Sequence, residues 1–293
     1  MLGFSPDVFA TRRERVLADL DGSALVLTSE TNASGARYRA DSDLFYLTGV
    51  TEPGAVVVLR PGSDDGDYVL FVRPRSPEDE RWTGERLGPE RAGEVFGADT
   101  THGNDLLSEH LPKLLAEVEE VYFRIGTESP VRDLVLAALQ TARTRGARKG
   151  VGPRGIIDPG RLLDPLRLIK NPEELERMRR AASITIAAFT EMFGTVRPGV
   201  GEWELEGVLE GAFRRKGASG PAYPTIVGSG ANACVLHYDD NDCTVGEGNL
   251  VLVDAGAEVN HYVCDITRTF PASGAFTAVQ RAIYDLVLEA HDR

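Results

Sequence analysis

Cysteine is scarce in this chain, and basic residues are outnumbered by acidic ones. Only three cysteines occur in 293 residues, Cys234, Cys243 and Cys264. This small, odd number argues against a disulfide framework, so reduced and buried thiols are expected. Lysine and arginine total 32 against 45 acidic residues, and the resulting net charge of −13 would repel nucleic-acid phosphates and anionic lipid. Neither nucleic acid nor a membrane surface is expected as a partner.

Long hydrophobic runs are also missing. The N-terminal residues MLGFSPDVFATRRERV have no apolar core of signal-peptide length, and no later run approaches the length that spans a bilayer. We therefore expect a cytoplasmic protein. Its content of 42% hydrophobic and 26% charged residues is typical of an ordered globular chain, and 293 residues are enough for two domains.

The first half alternates between strand and helix patterns. Runs rich in β-branched and aromatic residues are separated by segments with apolar residues at three- and four-residue spacing. This alternation predicts an α/β layer. The predicted strands are 23–29, 55–60, 68–73 and 121–126, and the predicted helices are 7–20, 104–118 and 129–142.

A connector is predicted at 150–172, where four prolines and four glycines interrupt regular structure. We place the domain boundary inside it, with an N-terminal domain at 1–160 and a C-terminal α+β domain at 161–293. Asn171, Pro172 and Glu174 have the spacing of an N-capping box and predict a helix start. The apolar face predicted for this helix consists of Leu175, Met178, Ala182, Ile186, Phe189 and Phe193.

Two acids interrupt the strand-like stretch LVLVDAGAEVNHYVCDITRTF, residues 250–270. If this stretch is a hairpin with its midpoint between Val259 and Asn260, Asp254 lies directly opposite Asp265. Asn260 tolerates the left-handed backbone that such a turn needs. The two side chains would then share one face, with Cβ atoms about 4.5–5.5 Å apart. A slip of one residue would place them on opposite faces.

Two adjacent carboxylates need compensation. At about 4 Å they repel by about 1 kcal/mol in water and by about 4 kcal/mol at an effective dielectric of 20. A shared proton or a bound divalent cation would relieve this, and the cation suits an open pocket at neutral pH. The alternative is that Asp254 starts a turn in DAG and Asp265 is a solvent-facing strand residue.

Cysteine and histidine spacing offers a second interpretation as a metal site. Cys234 with His237, and His261 with Cys264, have the x2 spacing of zinc-ligand pairs. In extended chain, residues three apart point to opposite faces, and neither pair contains the turn residues of a zinc knuckle. This interpretation is disfavoured.

Three blocks closely resemble Xaa-Pro aminopeptidases (aminopeptidase P), which are pita-bread metallopeptidases: YPTIVGSGANACVLHYDDND, GNLVLVDAGAEVNHYVCDITRTFP and FTAVQRAIYDLVLEA. SDLFYLTGVTEPGAVVVL, at 42–59, is similar to the N-terminal domain of that family, and KNPEELERMRRA, at 170–181, to the start of its catalytic domain. The resemblance implies an α/β creatinase-like domain at 1–160. It implies a partial, incomplete α+β pita-bread catalytic domain at 161–293.

The resemblance also implies a metal site. In the family, two Asp, one His and two Glu hold two metal ions, usually manganese. Asp254 in DAG matches the first ligand, and Asp265 in DITRTFP matches the ligand that bridges the metals. The other three ligands, including the Glu that serves as general base, have no counterpart up to residue 293. The chain therefore resembles a truncated member, with weak metal binding and little turnover expected.

Three further residues receive roles from the resemblance. His237 matches a catalytic histidine that lines the substrate site and stabilises the tetrahedral intermediate. Tyr223 is expected as a wall of the substrate pocket. Trp82 lies where some oligomeric relatives extend an aromatic side chain into the proline pocket of a neighbour, so a homo-oligomer is compatible with the resemblance.

The function implied is a metal-dependent exopeptidase that releases the N-terminal residue from peptides with proline in second position. Proline lacks an N–H and restricts φ, so such a substrate requires a shaped pocket. Two alternatives stay open at this point, an Xaa-Pro dipeptidase and a non-catalytic peptide-binding module. Creatinase, which uses the same fold without metal, is disfavoured by Asp254 and Asp265.

Overall fold

A computed structural model describes residues 3–30, 37–126, 129–144 and 152–293 of the chain. The chain divides into two compact units, Met1–Ile169 and Lys170–Arg293. The division falls after residue 169 rather than after residue 160, because the helix Gly160–Leu168 packs on the first unit. Its Leu163 is fully buried there, and the hydroxyl of Tyr46 donates to the carbonyl oxygen of Leu166 at 3.1 Å.

The first unit is an α/β layer built on one sheet, as predicted. Its elements are α1 (Pro6–Ala18), β1 (Ala24–Ser29), α2 (Ser42–Thr48), β2 (Ala55–Leu59), β3 (Tyr68–Val72), α3 (Pro77–Thr83), α4 (Gly88–Phe96), β4 (Thr100–Gly103), α5 (Leu107–Leu114), β5 (Glu120–Tyr122), α6 (Pro130–Thr144), β6 (Gly155–Ile157) and α7 (Gly160–Leu168). The strand order is β4-β3-β2-β1-β5-β6. Strands β1, β2 and β3 pair antiparallel, and the other neighbours pair parallel.

Helices cover both faces of this sheet. All residues of β2 and β3 are buried, as expected for strands with a hydrophobic layer on each side. One layer contains residues of α1, α2, α4 and α7, and the other contains residues of α5 and α6. The sequence did not predict β4 or β6, because β4 reads TTHG and β6 lies within the glycine- and proline-rich connector.

The second unit combines three helices with two small sheets. Its elements are α8 (Pro172–Phe193), α9 (Glu202–Arg215), β7 (Gly220–Pro221), β8 (Ile226–Ser229), β9 (Leu250–Ala255), β10 (Ala257–Val259), β11 (Tyr262–Val263), β12 (Ile266–Pro271) and α10 (Ala278–Asp292). The sheets have the orders β11-β10-β7 and β12-β9-β8. The capping box at the start of α8 is present as predicted: the amide of Glu174 donates to Asn171, and the amide of Asn171 donates to Glu174.

Helix α8 is buried along a face that shares only Phe189 with the one predicted. Leu175, Ile186 and Phe193 are more than a third exposed. Three of the eight buried positions are the small residues Ala181, Thr185 and Ala188, which allow α8 to pack closely on α9, β10 and β11. Thr185, fully buried, accepts a hydrogen bond from the amide of Ala257 and so fixes the hairpin against the helix. The buried residues of α8 are Glu174, Arg177, Ala181, Ile184, Thr185, Ala188, Phe189 and Met192.

The hairpin at 250–271 is present, but its predicted register is wrong by two residues. Asp254 pairs with Thr267 on β12, not with Asp265. The reason is the turn, which consists of Asn260 and His261, both with positive φ of 49° and 68°. A two-residue turn with both residues left-handed is the favoured hairpin connection, and it moves the midpoint one position beyond that predicted.

Because side chains alternate with a period of two, a shift of two positions preserves the face. Asp265 precedes Thr267 by two residues, so it stays on the same side as Asp254 as a diagonal neighbour rather than a direct partner. The prediction that both acids share one face therefore survives the error in register.

Helix α10 has no buried residue, and its apolar side chains are largely exposed. Its first turn is held by a capping box between Thr277 and Gln280, and the Gln280 side chain donates to the carbonyl of Gly248. Among the residues that the structure describes, no helix combines the length and hydropathy required to cross a bilayer.

Candidate metal and peptide site

Asp254 lies near the end of β9 on the face opposite the hydrophobic core. Along β9 the residues alternate, with Val251, Val253 and Ala255 buried. Asp254 is half-buried and lies between Ile226 of β8 and Thr267 of β12. The alternation of the strand thus turns the carboxylate away from the core while its neighbours anchor the backbone.

Asp265 lies just before β12, and one side chain, that of Tyr223, contacts both Asp265 and Asp254. The hydroxyl oxygen of Tyr223 is 2.6 Å from Oδ1 of Asp254 and 3.1 Å from Oδ1 of Asp265. One hydroxyl has one proton, so it donates to one carboxylate at a time or is shared between both. The two acids, called the Asp pair below, are therefore close enough to compete for a single hydrogen-bond donor.

The environment of Tyr223 shows that negative charge is concentrated there. Burial is the largest cause that raises the pKa of the Tyr223 hydroxyl, and hydrogen bonding and repulsion from Asp254 and then Asp265 raise it further. Each of these effects disfavours a phenolate beside two carboxylates. Tyr223 therefore keeps its proton at neutral pH and acts as a donor between the acids.

A cavity of about 350 Å³ opens beside the Asp pair. Its volume lies within the range of small-molecule and short-peptide sites. The lining combines apolar and polar groups, with Pro224 and Ile226 forming the apolar part. The complete lining is Tyr223, Pro224, Ile226, His237, Asp239, Asp254 and Asp265.

Four of the five predicted site residues meet at this cavity: Tyr223, His237, Asp254 and Asp265. The fifth, Trp82, lies on α3 of the first unit, is 88% exposed and is not part of the lining. The cavity is thus lined by residues from the segment that leads into β8, from β8 itself, from the following loop and from the hairpin, which are up to 42 positions apart in sequence. Their catalytic and binding roles stay predictions.

The Asp pair offers the right kind of donor for a hard divalent cation, namely carboxylate oxygen. Within residues 3–30, 37–126, 129–144 and 152–293, no third His, Cys, Asp or Glu joins these two acids as a potential ligand. The two carboxylates therefore have the oxygen donors that a hard divalent cation prefers, but they are too few for a complete set of ligands. The cysteine and histidine pairs of the disfavoured zinc interpretation do not form a ligand group in the described part of the chain either.

In the described part of the chain, one cluster of three side chains could hold a metal ion, formed by Glu202, Asp242 and Cys243. Its central group, the fully buried carboxylate of Glu202, already accepts hydrogen bonds from the amides of Ser229 and Cys243 and from the hydroxyl of Tyr238. These bonds satisfy the buried charge without an ion. Sequence inspection missed Glu202, because an acid in the first turn of a helix is ordinarily explained by the helix dipole.

Comparison with known proteins shows which family the two parts of the chain belong to. Residues 9–122 match the aminopeptidase P N-terminal domain, and residues 176–293 match metallopeptidase family M24. The chain is 39% identical to the Xaa-Pro aminopeptidase of Escherichia coli over 297 aligned residues, covering 99% of this chain and 67% of that protein. It belongs to the aminopeptidase P family of metallopeptidases. The fold of the family, an N-terminal domain followed by part of a pita-bread domain, is thereby established for this chain.

Solved structures of aminopeptidase P support the same assignment. The structure of aminopeptidase PepP from Pseudomonas aeruginosa superimposes with a TM-score of 0.92 at 39% identity, covering 99% of this chain and 67% of that one. The Xaa-Pro aminopeptidase of Haemophilus influenzae is 37% identical, and this chain spans 65% of its length. The chain thus spans about two thirds of the aminopeptidase P relatives it matches.

Proposed function

We propose that this chain carries the substrate side and two metal ligands of an Xaa-Pro aminopeptidase, an exopeptidase that releases the first residue from peptides with proline second. The observation that carries the proposal is the contact of one hydroxyl, that of Tyr223, with both Asp254 and Asp265. It supports a site where two carboxylates converge at an open cavity. The family assignment supports the reaction class.

Asp254 and Asp265 would hold the divalent ion, for which we propose Mn²⁺. Such an ion polarises a scissile carbonyl and makes a bound water nucleophilic at neutral pH. Carboxylate donors favour a hard cation over a soft one, which argues for manganese rather than a thiolate-bound metal. With two carboxylates alone, the affinity would be low.

The remaining lining residues would position the peptide. Pro224 and Ile226 offer an apolar surface on which a proline ring can pack without needing a donor for the missing N–H. His237 lies on the same lining and can donate a hydrogen bond to the carbonyl oxygen as charge develops there. Tyr223 keeps the two carboxylates close together before an ion is bound.

A second candidate is a non-catalytic peptide-binding module. It is favoured by the lack of a third ligand next to the Asp pair within the described residues. Such a module would still use the cavity, with the peptide N-terminal ammonium attracted to the two carboxylates. Binding without hydrolysis would distinguish it from the aminopeptidase.

The test is release of the N-terminal residue from an Xaa-Pro-Xaa tripeptide, with Mn²⁺ added and with chelator as control. We expect weak, Mn²⁺-dependent release of the first residue that Asp265→Asn abolishes while the fold is retained. Saturable tripeptide binding without any release would favour the binding module. Equal release by the parent and Asp265→Asn would remove Asp265 from the site.

We further propose the cytoplasm as the location, and a homo-oligomer as the working form. The first is supported by Cys234, Cys243 and Cys264, all of which are free thiols, although none is buried as predicted: Cys234 and Cys243 are exposed and Cys264 is partly buried. The second is supported by Trp82, whose 88% exposure makes it a candidate for contact with a second copy. Size-exclusion chromatography with light scattering, comparing the parent with Trp82→Ala, tests the oligomer.

A further inference from the structure

We propose that Tyr238 and Asn241, through buried hydrogen bonds, position His237 beside the Asp pair. The proposal rests on the proposed function only in taking His237 as a group that meets the substrate. His237 lies on a surface loop, and its neighbour Leu236 is 85% exposed. Within residues 230–244, all of which the structure describes, only Tyr238 and Asn241 are buried. These two buried side chains attach the loop to the unit, together with the amide of Cys243, which donates to Glu202.

Tyr238 attaches the loop to helix α9. Tyr238 directly follows His237 in the chain. Its hydroxyl donates to Oε2 of Glu202 at 2.8 Å. The same carboxylate accepts the amide of Ser229 at 2.7 Å and the amide of Cys243 at 3.0 Å. Glu202 therefore joins the end of β8, the loop and the first turn of α9. In a buried setting, such a charged acceptor strengthens every bond that it receives.

Asn241 attaches the loop to strand β8. Its backbone is left-handed, with φ 47°, which asparagine tolerates better than most residues. Its side-chain amide donates to the carbonyl of Thr225 at 2.7 Å, and its Oδ1 accepts from the amide of Val227 at 2.8 Å. The carbonyl of Thr225 and the amide of Val227 are backbone groups of the kind that pair with a neighbouring strand. The side chain of Asn241 binds both and so holds the loop against β8.

Strand β8 connects this attachment to the metal ligands. Ile226, between the two residues bonded by Asn241, pairs directly with Asp254 in the β8–β9 register. The path from His237 to the Asp pair thus consists of one short loop segment and one strand pair. With the loop held at these two points, the position of His237 relative to the Asp pair is set by these hydrogen bonds.

The test compares Tyr238→Phe with Tyr262→Phe. Tyr262 is a matched control, because its hydroxyl donates to the carboxylate of Glu174 at 2.7 Å in the same unit and away from the cavity. The first readout is amide hydrogen exchange of residues 230–244. The second is paramagnetic broadening of the His237 ring signals by Mn²⁺, with the Ile226 amide as a reference beside Asp254.

For Tyr238→Phe we expect at least a tenfold rise in loop exchange, and weaker broadening of His237 with unchanged broadening of Ile226. Tyr262→Phe is expected to match the parent in both readouts. Asn241→Asp, which keeps the acceptor and loses the donor, is expected to change both readouts in the same direction. Equal exchange and broadening in Tyr238→Phe and the control would overturn the proposal. Mn²⁺ that fails to broaden any signal in the parent would instead contradict the proposed function, and the exchange data alone would then decide the positioning.

Discussion

Gly256 contacts the main chain of Cys264 so closely that a Cβ at position 256 would lie 1.6 Å from the carbonyl oxygen of Cys264. Gly256 lies between β9 and β10, two residues after Asp254, and Cys264 directly precedes Asp265. The contact therefore lies between the two members of the Asp pair. No rotation of a side chain can relieve a clash with a backbone oxygen. The absence of a side chain at position 256 is therefore a condition for the two strands to bring the acids together.

Gly256→Ala is accordingly expected to lower the free energy of unfolding by about 3 kcal/mol or more, because the hairpin must separate to admit the methyl group. Urea unfolding followed by circular dichroism measures this. Gly207→Ala is the control: residue 207 lies within α9, and apart from its own stretch of helix backbone no atom lies within 4 Å of the place that its new methyl group would take, so about 0.5–1 kcal/mol of stabilisation is expected there. A neutral Gly256→Ala would show that the strands approach less closely than described.

Tyr223→Phe removes a donor that the two carboxylates share. Hydrogen bonds to charged groups contribute about 1.5–3 kcal/mol, and the half-buried setting of Tyr223 reduces this to about 1 kcal/mol. We expect that loss of stability in chelator, measured by urea unfolding. Tyr284→Phe, which removes the hydroxyl of a tyrosine on α10, controls for the general effect of this substitution. Unfolding midpoints that coincide for all three proteins would contradict the bridging role.

The free energy of unfolding of the first unit is expected to depend on pH through His102. Burial and then the nearby His110 lower the pKa of His102, and the two rings stack with centroids 3.9 Å apart. Asp65 and Glu109 act in the opposite direction. Since the folded state disfavours the imidazolium, the stability is present above the unfolded pKa of about 6.5 and is lost as the pH falls through the folded value.

His102→Phe keeps an aromatic ring in the stack and removes the titration. Its unfolding midpoint in urea is therefore expected to fall less between pH 7.5 and pH 5.5 than that of the parent. It also removes the buried Nε2 of His102, which has no hydrogen-bond partner among the residues that the structure describes. Carboxylates elsewhere contribute equally to both proteins and cancel in the comparison. Identical losses in the two proteins would exclude His102 as the source.

Local sequence signals predicted the ends of elements well. The capping box of Asn171 and Glu174 depends on residues three apart, so it can be identified without any tertiary information. The left-handed backbone of Asn260 was predicted for the same reason. His261 was not, and that single omission shifted the hairpin register. The site prediction tolerated the error because a two-residue shift keeps side chains on their face.

Tertiary contacts were predicted less well. Ile186 was assigned to the core of the second unit on hydrophobicity and is 58% exposed, whereas Thr185 beside it is fully buried as an acceptor for the hairpin. The buried role of Glu202 was likewise invisible, since its three donors come from residues 27 to 41 positions away. Such contacts depend on how elements pack, which periodicity alone does not specify.

Asp254 and Asp265 are proposed to bind one divalent cation jointly. Electron paramagnetic resonance of free Mn²⁺ during a titration with protein measures this directly, using the parent, Asp254→Asn, Asp265→Asn and the control Asp239→Asn, a lining residue outside the pair. We predict one weak site in the parent and in Asp239→Asn, and at least a tenfold loss of affinity in each variant of the pair. Mn²⁺ binding of equal strength in all four proteins would contradict the account.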